Sequence, residues 1–285
     1  VCWQLQSFLL GYKIAVYVLQ RLQQLDRSVS GSQPQQQHLR LALHVTKAEA
    51  ATTLARLAPN VLAPAIGERQ ALFEAALQDY KAAVDLLQAR QQQQQLPGRG
   101  PSASGSWAIG SDQSLFSGIG LSSVESCSMY RVQLQFGLLC NYLHQQQVEQ
   151  QHKQHESSLL EPDKPSAAAA SAVISEGLAA LAVKHLLGAM ATSTSAQAAG
   201  GEAALHVPTV LAAMATAPPT ASSATAPAGS VIQSPSAAAA CAAFAAGWQT
   251  VPLHVFLPWV SQLLARLEDP EGAVLVPPLE QLAAL

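Results

Sequence analysis

Residues 68–88, ERQALFEAALQDYKAAVDLLQ, decide how the rest of the chain is read. Phe73, Ala76, Leu77, Tyr80, Val84 and Leu87 recur at steps of three and four, so they share one stripe of an α-helix. The stretch predicts a helix over Glu68–Gln88, and Pro64 and Gly67 punctuate the turn before it. Upstream, Leu5, Phe8, Leu9, Tyr12, Val16, Leu19 and Leu22 keep the same steps and predict a helix over Gln4–Leu25. A polar break from Ser28 to Gln37 contains Pro34. A helix over Leu39–Leu57 follows and stops before Pro59, because the residue preceding a proline is pushed out of the helical region.

Downstream the periodicity stops and restarts. Gln91–Ser126 opens on a run of glutamines and continues through Pro97, Gly98, Gly100, Pro101, Gly105, Gly110 and Gly118. Such composition cannot bury enough surface to offset its ordering entropy, so it reads as a flexible insert. Met129, Val132, Phe136, Leu139, Cys140 and Leu143 restart the helical stripe, which decays into the polar Gln145–Gln151 tract. Pro162 and Pro165 interrupt again. Ala167–Met190 reads as an Ala-rich helix with Leu178, Leu181, Ala182, His185 and Leu186 on its buried line. Glu202–Met214 reads as a short helix, and Thr216–Ser236 as an Ala/Pro/Thr/Ser-rich linker. Two helical segments close the chain, Val251–Leu267 and about Glu271–Leu285, the second interrupted by Pro277 and Pro278.

Composition points the same way. Apolar residues make up 49% of the 285-residue chain and aromatics only 5%, so alanine and leucine carry the apolar content, and both favour helix. Ile, Val, Tyr and Phe are too sparse for several strands. The expected fold class is therefore all-α: an α-solenoid of degenerate helix-turn-helix repeats of TPR/HEAT-like kind with disordered low-complexity inserts. No strict sequence period is present. The expected organisation is helical repeats over 1–90, an insert over 91–126, and helical repeats over 127–215 with a Gln/Pro-rich break at about 145–166. A linker over 216–236 and terminal helical pairs over 237–285 complete it.

Motifs that carry chemistry are missing. Gly118-Ile119-Gly120 lacks a third glycine and a preceding strand, so it cannot form a dinucleotide or kinase phosphate loop. No Walker loop, His-Arg-Asp or Asp-Phe-Gly tripeptide, or Gly-x-Ser-x-Gly elbow occurs. His152 and His155 could share a helix face, but only Glu149 or Glu156 could assist them, and zinc needs three or four converging ligands. His185 and His254 sit singly among apolar residues and read as packing histidines, since a general base needs an orienting partner. Glu268, Asp269 and Glu271 cluster beside Pro270, where Asp269 and Glu271 could face the start of the last helical segment. Cys2, Cys127, Cys140 and Cys241 form no CxxC pair and read as reduced thiols. Only 12% of residues are charged and the formal net charge is −3, which excludes a basic nucleic-acid surface. Gln4, Gln6, Lys13 and Gln20 break up the apolar Val1–Gln20, so neither a membrane span nor a secretory signal is expected. Catalytic, cofactor and metal residues are accordingly expected to be absent.

One segment is more specific. In Val251–Glu268, VPLHVFLPWVSQLLARLE, the residues Phe256, Trp259, Val260, Leu263 and Leu267 predict one apolar face, Pro252 lies near its start, and Pro258 allows the regular helix to begin there. The segment resembles the late FAT domain of the phosphatidylinositol-3-kinase-related kinases, which carries a Trp-(Ile/Val/Leu)-(Ser/Pro) pattern in a helical pair just before the kinase domain. The residues that carry the resemblance are Val251, Pro252, Phe256, Trp259, Val260, Ser261, Ala265, Leu267, Glu268, Ala273, Val274 and Glu280. The motif of structural interest is Val251, Pro252, Phe256, Trp259, Val260, Ser261, Leu263 and Leu267. Phe136–Leu143, Leu181–Met190 and His206–Leu211 are similar to helices and a turn that precede it in the family, without the family's acidic residues in the first and its arginine in the last. The likeness runs over Tyr130–Leu285 and is vague over Val1–Arg90. The glutamine run and the Thr216–Ser236 linker depart from it.

The resemblance implies a non-catalytic segment that supports a kinase domain lying beyond residue 285, with ATP and magnesium belonging to that parent kinase. The member it most resembles is a nuclear serine/threonine kinase of double-strand-break repair by non-homologous end joining. Implied partners are the kinase domain and other helical repeats of the same parent and, indirectly, a DNA-end-binding complex, with no direct nucleic acid and no membrane. A chain that opens on Val1 and stops at Leu285, just short of the family's Tyr-Pro-Gln-Ala, is expected to be a fragment. Two other readings stay open: an adaptor segment of a FAT-bearing pseudokinase of histone acetyltransferase complexes, and an unrelated helical-repeat interaction module.

Overall fold

The structure, a computed structural model, describes residues 17–25, 34–57, 66–95, 129–160, 168–192, 204–215 and 234–285. Among these the regular structure is helical, with no strand, as the alanine and leucine content favours. The helices are α1 (17–25), α2 (Pro34–Leu57), α3 (Ile66–Gln95), α4 (Met129–Leu160), α5 (Ala168–Thr192), α6 (Val207–Met214), α7 (Pro235–Gly247), α8 (Val260–Ala265) and α9 (Val276–Ala283). The chain divides into two compact units, Val1–Val132 and Gln133–Leu285.

The first unit is built on the pair α2 and α3. Arg69 donates to the Ala55 carbonyl at 3.0 Å, and His44 Nδ1 lies 2.8 Å from Asp79 Oδ1. The residue numbers run in opposite directions along the two helices, so the pair is antiparallel. Val45, Ala48, Ala51, Leu54 and Ala55 of α2 are buried, as are Phe73, Ala76, Tyr80, Ala83, Val84 and Leu87 of α3. Each large apolar side chain so buried stabilises by about 1.5–3 kcal/mol, and the alanines let the backbones approach. Leu77, expected on the buried stripe, is only partly covered.

In the second unit α5 is the central helix. Ala179, Ala182, Val183, Leu186, Leu187, Ala189 and Met190 are each no more than 1% exposed, so α5 is buried over a broad face and leaves a narrow line through Gly177, Leu181, Lys184 and Gly188 less covered. Gly137 of α4 sits where a Cβ would lie 2.8 Å from Leu186 Cγ, so the absent side chain is what admits α5 at that crossing. α6 and α7 pack on α5 and on each other. Pro235 opens α7 at the position where its missing N–H costs nothing, and the Ser234 hydroxyl accepts the Ala237 N–H at 3.2 Å.

Several boundaries differ from those read in the sequence. α2 begins at Pro34, inside the expected polar break, because a proline in the first helical turn is compatible with helix. α3 continues through Gln91–Gln95, placed in the insert by the sequence reading, and α4 continues through Gln145–Gln151 to Leu160, across most of the expected 145–166 break. Glutamine is a good helix former, and a solvated helix needs no apolar stripe once an anchored segment has nucleated it. The Ala-rich α7, with Ala237, Ala240, Cys241 and Phe244 buried, starts at Pro235, inside the expected 216–236 linker. Residues 1–16, 96–128, 161–167 and 216–233 lie outside the described residues, and with them Cys2, Cys127, Gly118-Ile119-Gly120, most of the helix expected over Gln4–Leu25, and the greater part of the insert and linker.

Candidate functional site

The terminal motif is not one long helix. Between Trp248 and Ala265 the backbone makes three 3-10 turns, Trp248–Thr250, Leu253–Val255 and Leu257–Trp259, before α8 begins at Val260. Pro252 and Pro258 explain this: neither offers an N–H, so the bonds that form are short-range, such as Val255 N–H to the Pro252 carbonyl at 3.0 Å and Trp259 N–H to the Phe256 carbonyl at 2.9 Å. The regular helix therefore starts two residues later than the Pro258 start that the sequence suggests. Pro277 and Pro278 do the opposite of interrupting. They occupy the first turn of α9, and Pro278 is buried.

The eight motif residues separate by depth. Val251, Phe256 and Leu263 are 3%, 1% and 0% exposed. Pro252, Trp259 and Val260 lie at the margin, partly covered, and Ser261 and Leu267 are exposed. The expectation of a single face running from Phe256 to Leu267 is thus met at Phe256 and Leu263 only. Trp259, expected on that face, is only partly covered, with its buried indole N–H lacking an acceptor. The anchor is Phe256, whose ring meets Phe244 of α7 edge-on at 6.4 Å and 70°. Trp248 and Val255 are buried close by in sequence.

A half-buried ion pair closes this end of the unit. Glu271 is 4% exposed and receives Arg266 Nη1 at 3.2 Å, while Asp269 lies 3.5 Å from the same nitrogen. The sequence suggests Glu271 as a helix-start charge; it precedes the 3-10 turn Gly272–Leu275 without capping it by a side-chain bond. A Cβ on Gly272 would stand 2.3 Å from the Leu267 carbonyl oxygen, so only glycine fits under that carbonyl. Burial, with Glu271 adding to it, pushes the Cys241 thiol up to about 11, and burial pushes Cys140 up to about 12. Both thiols are therefore poor nucleophiles at neutral pH.

His185 is buried against Phe136, with ring centroids 4.3 Å apart, and burial with help from Lys184 holds its pKa down to about 4. It is a neutral packing histidine, as the sequence reading has it. His254 is exposed instead, on the 3-10 turn before Phe256. His144 is buried on α4 and its pKa is lowered by desolvation. The side chains of His152 and His155 lie outside the described residues. Among the described residues no three His, Cys, Asp or Glu side chains converge as metal ligands, and no helix is long and apolar enough to cross a membrane.

Sequence reasoning misses one further cluster. In the first unit Asp79 of α3 receives both His44 Nδ1 at 2.8 Å and Lys47 Nζ at 3.1 Å from α2, with all three side chains mostly covered. His44 and Lys47 are three apart and share a face, but their partner is 35 residues from His44, so no local pattern announces it.

What the described residues define is an all-α protein of closely packed helices. No family model, no curated protein and no solved structure matches the chain.

Proposed function

We propose that this chain is a non-catalytic helical-repeat scaffold. Within that class we read it as a FAT-type segment of a serine/threonine kinase similar to the DNA-dependent protein kinase catalytic subunit. In that role it supports the kinase domain during double-strand-break repair by non-homologous end joining, in the nucleus. ATP and magnesium belong to the kinase domain of the parent. The parent's own helices and kinase domain are the direct partners, and a DNA-end-binding complex is an indirect one.

The observation that supports this reading is the divided burial of the terminal segment. Val251, Phe256 and Leu263 key into the unit, while Leu257, Leu264 and Leu267 are 51%, 51% and 37% exposed. A segment that is locked at some apolar residues and exposed at others suits transmission of position between packed helices. It becomes allosteric only through two arrangements with different contacts. The test is the parent reading frame beyond Leu285. A Tyr-Pro-Gln-Ala stretch followed by intact catalytic and metal-binding aspartates supports the kinase reading. The same helices with those aspartates lost would make the parent a pseudokinase adaptor, and absence of both would make the chain an unrelated interaction module.

A further inference from the structure

We propose that Cys140 and His144 of α4 form a two-coordinate site for a soft monovalent metal ion, copper(I), bound by the cysteine sulfur and the histidine ring nitrogen Nδ1. This inference does not depend on the kinase reading; it rests on one turn of α4. Residues four apart on a helix lie one turn from each other on the same face, with Cβ atoms about 5–6 Å apart. A helical side chain leans back over the turn N-terminal to its own Cα, so the His144 ring is directed to the turn that carries Cys140. Cys140 is a free thiol at 0% exposure, and His144 is 8% exposed. The Nδ1 atom of His144 is buried and has no hydrogen-bond partner, and the Oδ1 atom of Asn141 on the same turn is also buried without one. Buried polar atoms are nearly always satisfied, so an orphaned ring nitrogen one turn from a thiol points to a ligand between them.

Charge and coordination number select the occupant. Among the described residues no three His, Cys, Asp or Glu side chains converge, so a closed zinc site is not built here. Copper(I) is satisfied by two ligands in line, thiolate sulfur favours it, and imidazole suits it. Metal bonds of about 2.0–2.3 Å place sulfur and nitrogen about 4 Å apart, a span that side chains one helical turn apart can close. On binding, the S–H bond breaks, sulfur bonds to copper, and the proton leaves to solvent, with no change in the oxidation state of either. Thiolate, copper(I) and neutral imidazole then sum to zero charge. Burial holds His144 in its neutral form, which offers the Nδ1 lone pair when the proton sits on Nε2. The same burial would penalise the net positive charge that a divalent ion leaves behind.

The test uses the full chain with Cys2, Cys127 and Cys241 changed to Ala, so that Cys140 is the only thiol. Copper(I) is titrated without oxygen against a chromogenic copper(I) chelator, and proton release is followed in the same titration. One copper per chain is expected, with one proton released. His144→Gln should weaken the affinity about tenfold or more, and Cys140→Ala should abolish binding. X-ray absorption of the loaded chain should show one sulfur and one nitrogen around copper; this reading needs no variant at the site and decides the matter if His144→Gln does not fold. In the natural chain Cys140→Ala alone should lower the copper count by one, which serves if the three-alanine background does not fold. The proposal is overturned by absence of copper binding, which would leave Nδ1 to a buried water. It is equally overturned by undiminished affinity in a folded His144→Gln, or by zinc(II) binding as tightly as copper(I). Two sulfurs around copper would overturn it in favour of a metal shared between two copies of the chain.

Discussion

Replacing Phe256 with alanine should cost more than replacing Trp259, although tryptophan is the larger residue and the more conspicuous in the sequence. Phe256 is 1% exposed, so the variant loses nearly all of a buried aromatic side chain and leaves a cavity, about 3–5 kcal/mol for such truncations. Part of that cost is the edge-on contact with Phe244, which aromatic pairs make worth about 0.5–1.5 kcal/mol beyond area. Trp259 is only partly covered, and its buried N–H makes no hydrogen bond that truncation could remove. Its loss should cost about half as much, ~1.5–2.5 kcal/mol on the same scale. The assay is urea unfolding of the full chain with Trp3 and Trp107 changed to Phe, so that fluorescence reports on Trp248 and, where it is kept, Trp259 in the second unit. Because the chain has two compact units, that restriction keeps the readout to one transition. Circular dichroism follows the helices of both units, and the part of its transition that belongs to the first unit should be unaffected by either variant. A larger midpoint shift for Trp259→Ala than for Phe256→Ala would refute the assignment of the anchor. A shift near zero for Phe256→Ala would refute the packing of the terminal motif altogether.

Three further outcomes follow from the same structure. His185 has its folded pKa lowered to about 4 from an ordinary 6.5, so the folded state takes up its proton later than the unfolded one as pH falls; stability should be full above about pH 6.5, decline towards pH 4 and level off below, by ~3 kcal/mol in total. His185→Gln should flatten that part of the pH–stability curve, leaving the smaller slope of His144, which has the same sign. Gly272→Ala should destabilise the second unit by ~1–3 kcal/mol, because the Leu267 and Arg266 carbonyls that its Cβ would meet are backbone and cannot swing aside; denaturant melts resolve this. Asp79→Asn should lower the first unit's stability by ~1–3 kcal/mol, below the 3–5 of a fully buried pair because its partners keep some solvent, and an unchanged midpoint would show the cluster to be idle.

The helical class was legible because it rests on period alone. Phe73, Ala76, Tyr80, Val84 and Leu87 are buried as their spacing predicts, and so are Val132, Phe136, Leu139 and Cys140 of α4 and Leu178, Ala182, His185 and Leu186 of α5. Helix ends were not legible where polarity and propensity disagree. Gln91–Gln95 and Gln145–Gln151 look like coil to a hydrophobicity reading, yet glutamine costs a helix little once the preceding turns are fixed by packing. Contacts between distant residues were the least legible. His44 and Asp79 are ordinary charged residues 35 positions apart, and only the pairing of α2 with α3 makes them partners.

The terminal motif shows how proline redistributes a predicted face. An uninterrupted α-helix over Val251–Leu267 would advance about 100° per residue and carry Phe256, Trp259, Val260, Leu263 and Leu267 along one stripe. Pro252 and Pro258 withhold two donors, and the 3-10 turns that result advance about 120° per residue over part of the segment. Phase lost there is not regained within the six residues of α8. Phe256 and Leu263 still reach the core, because three steps of about 120° through the 3-10 turn and four of about 100° into α8 sum to about 760°, within about 40° of the starting direction. Trp259 and Val260 lie at the margin, and Leu264 and Leu267 are exposed. The same prolines that keep the segment from being one long helix thus move Val260 and Leu267 off the predicted face, whereas Leu257 and Leu264 lie about 80–100° from Phe256 even in a regular helix.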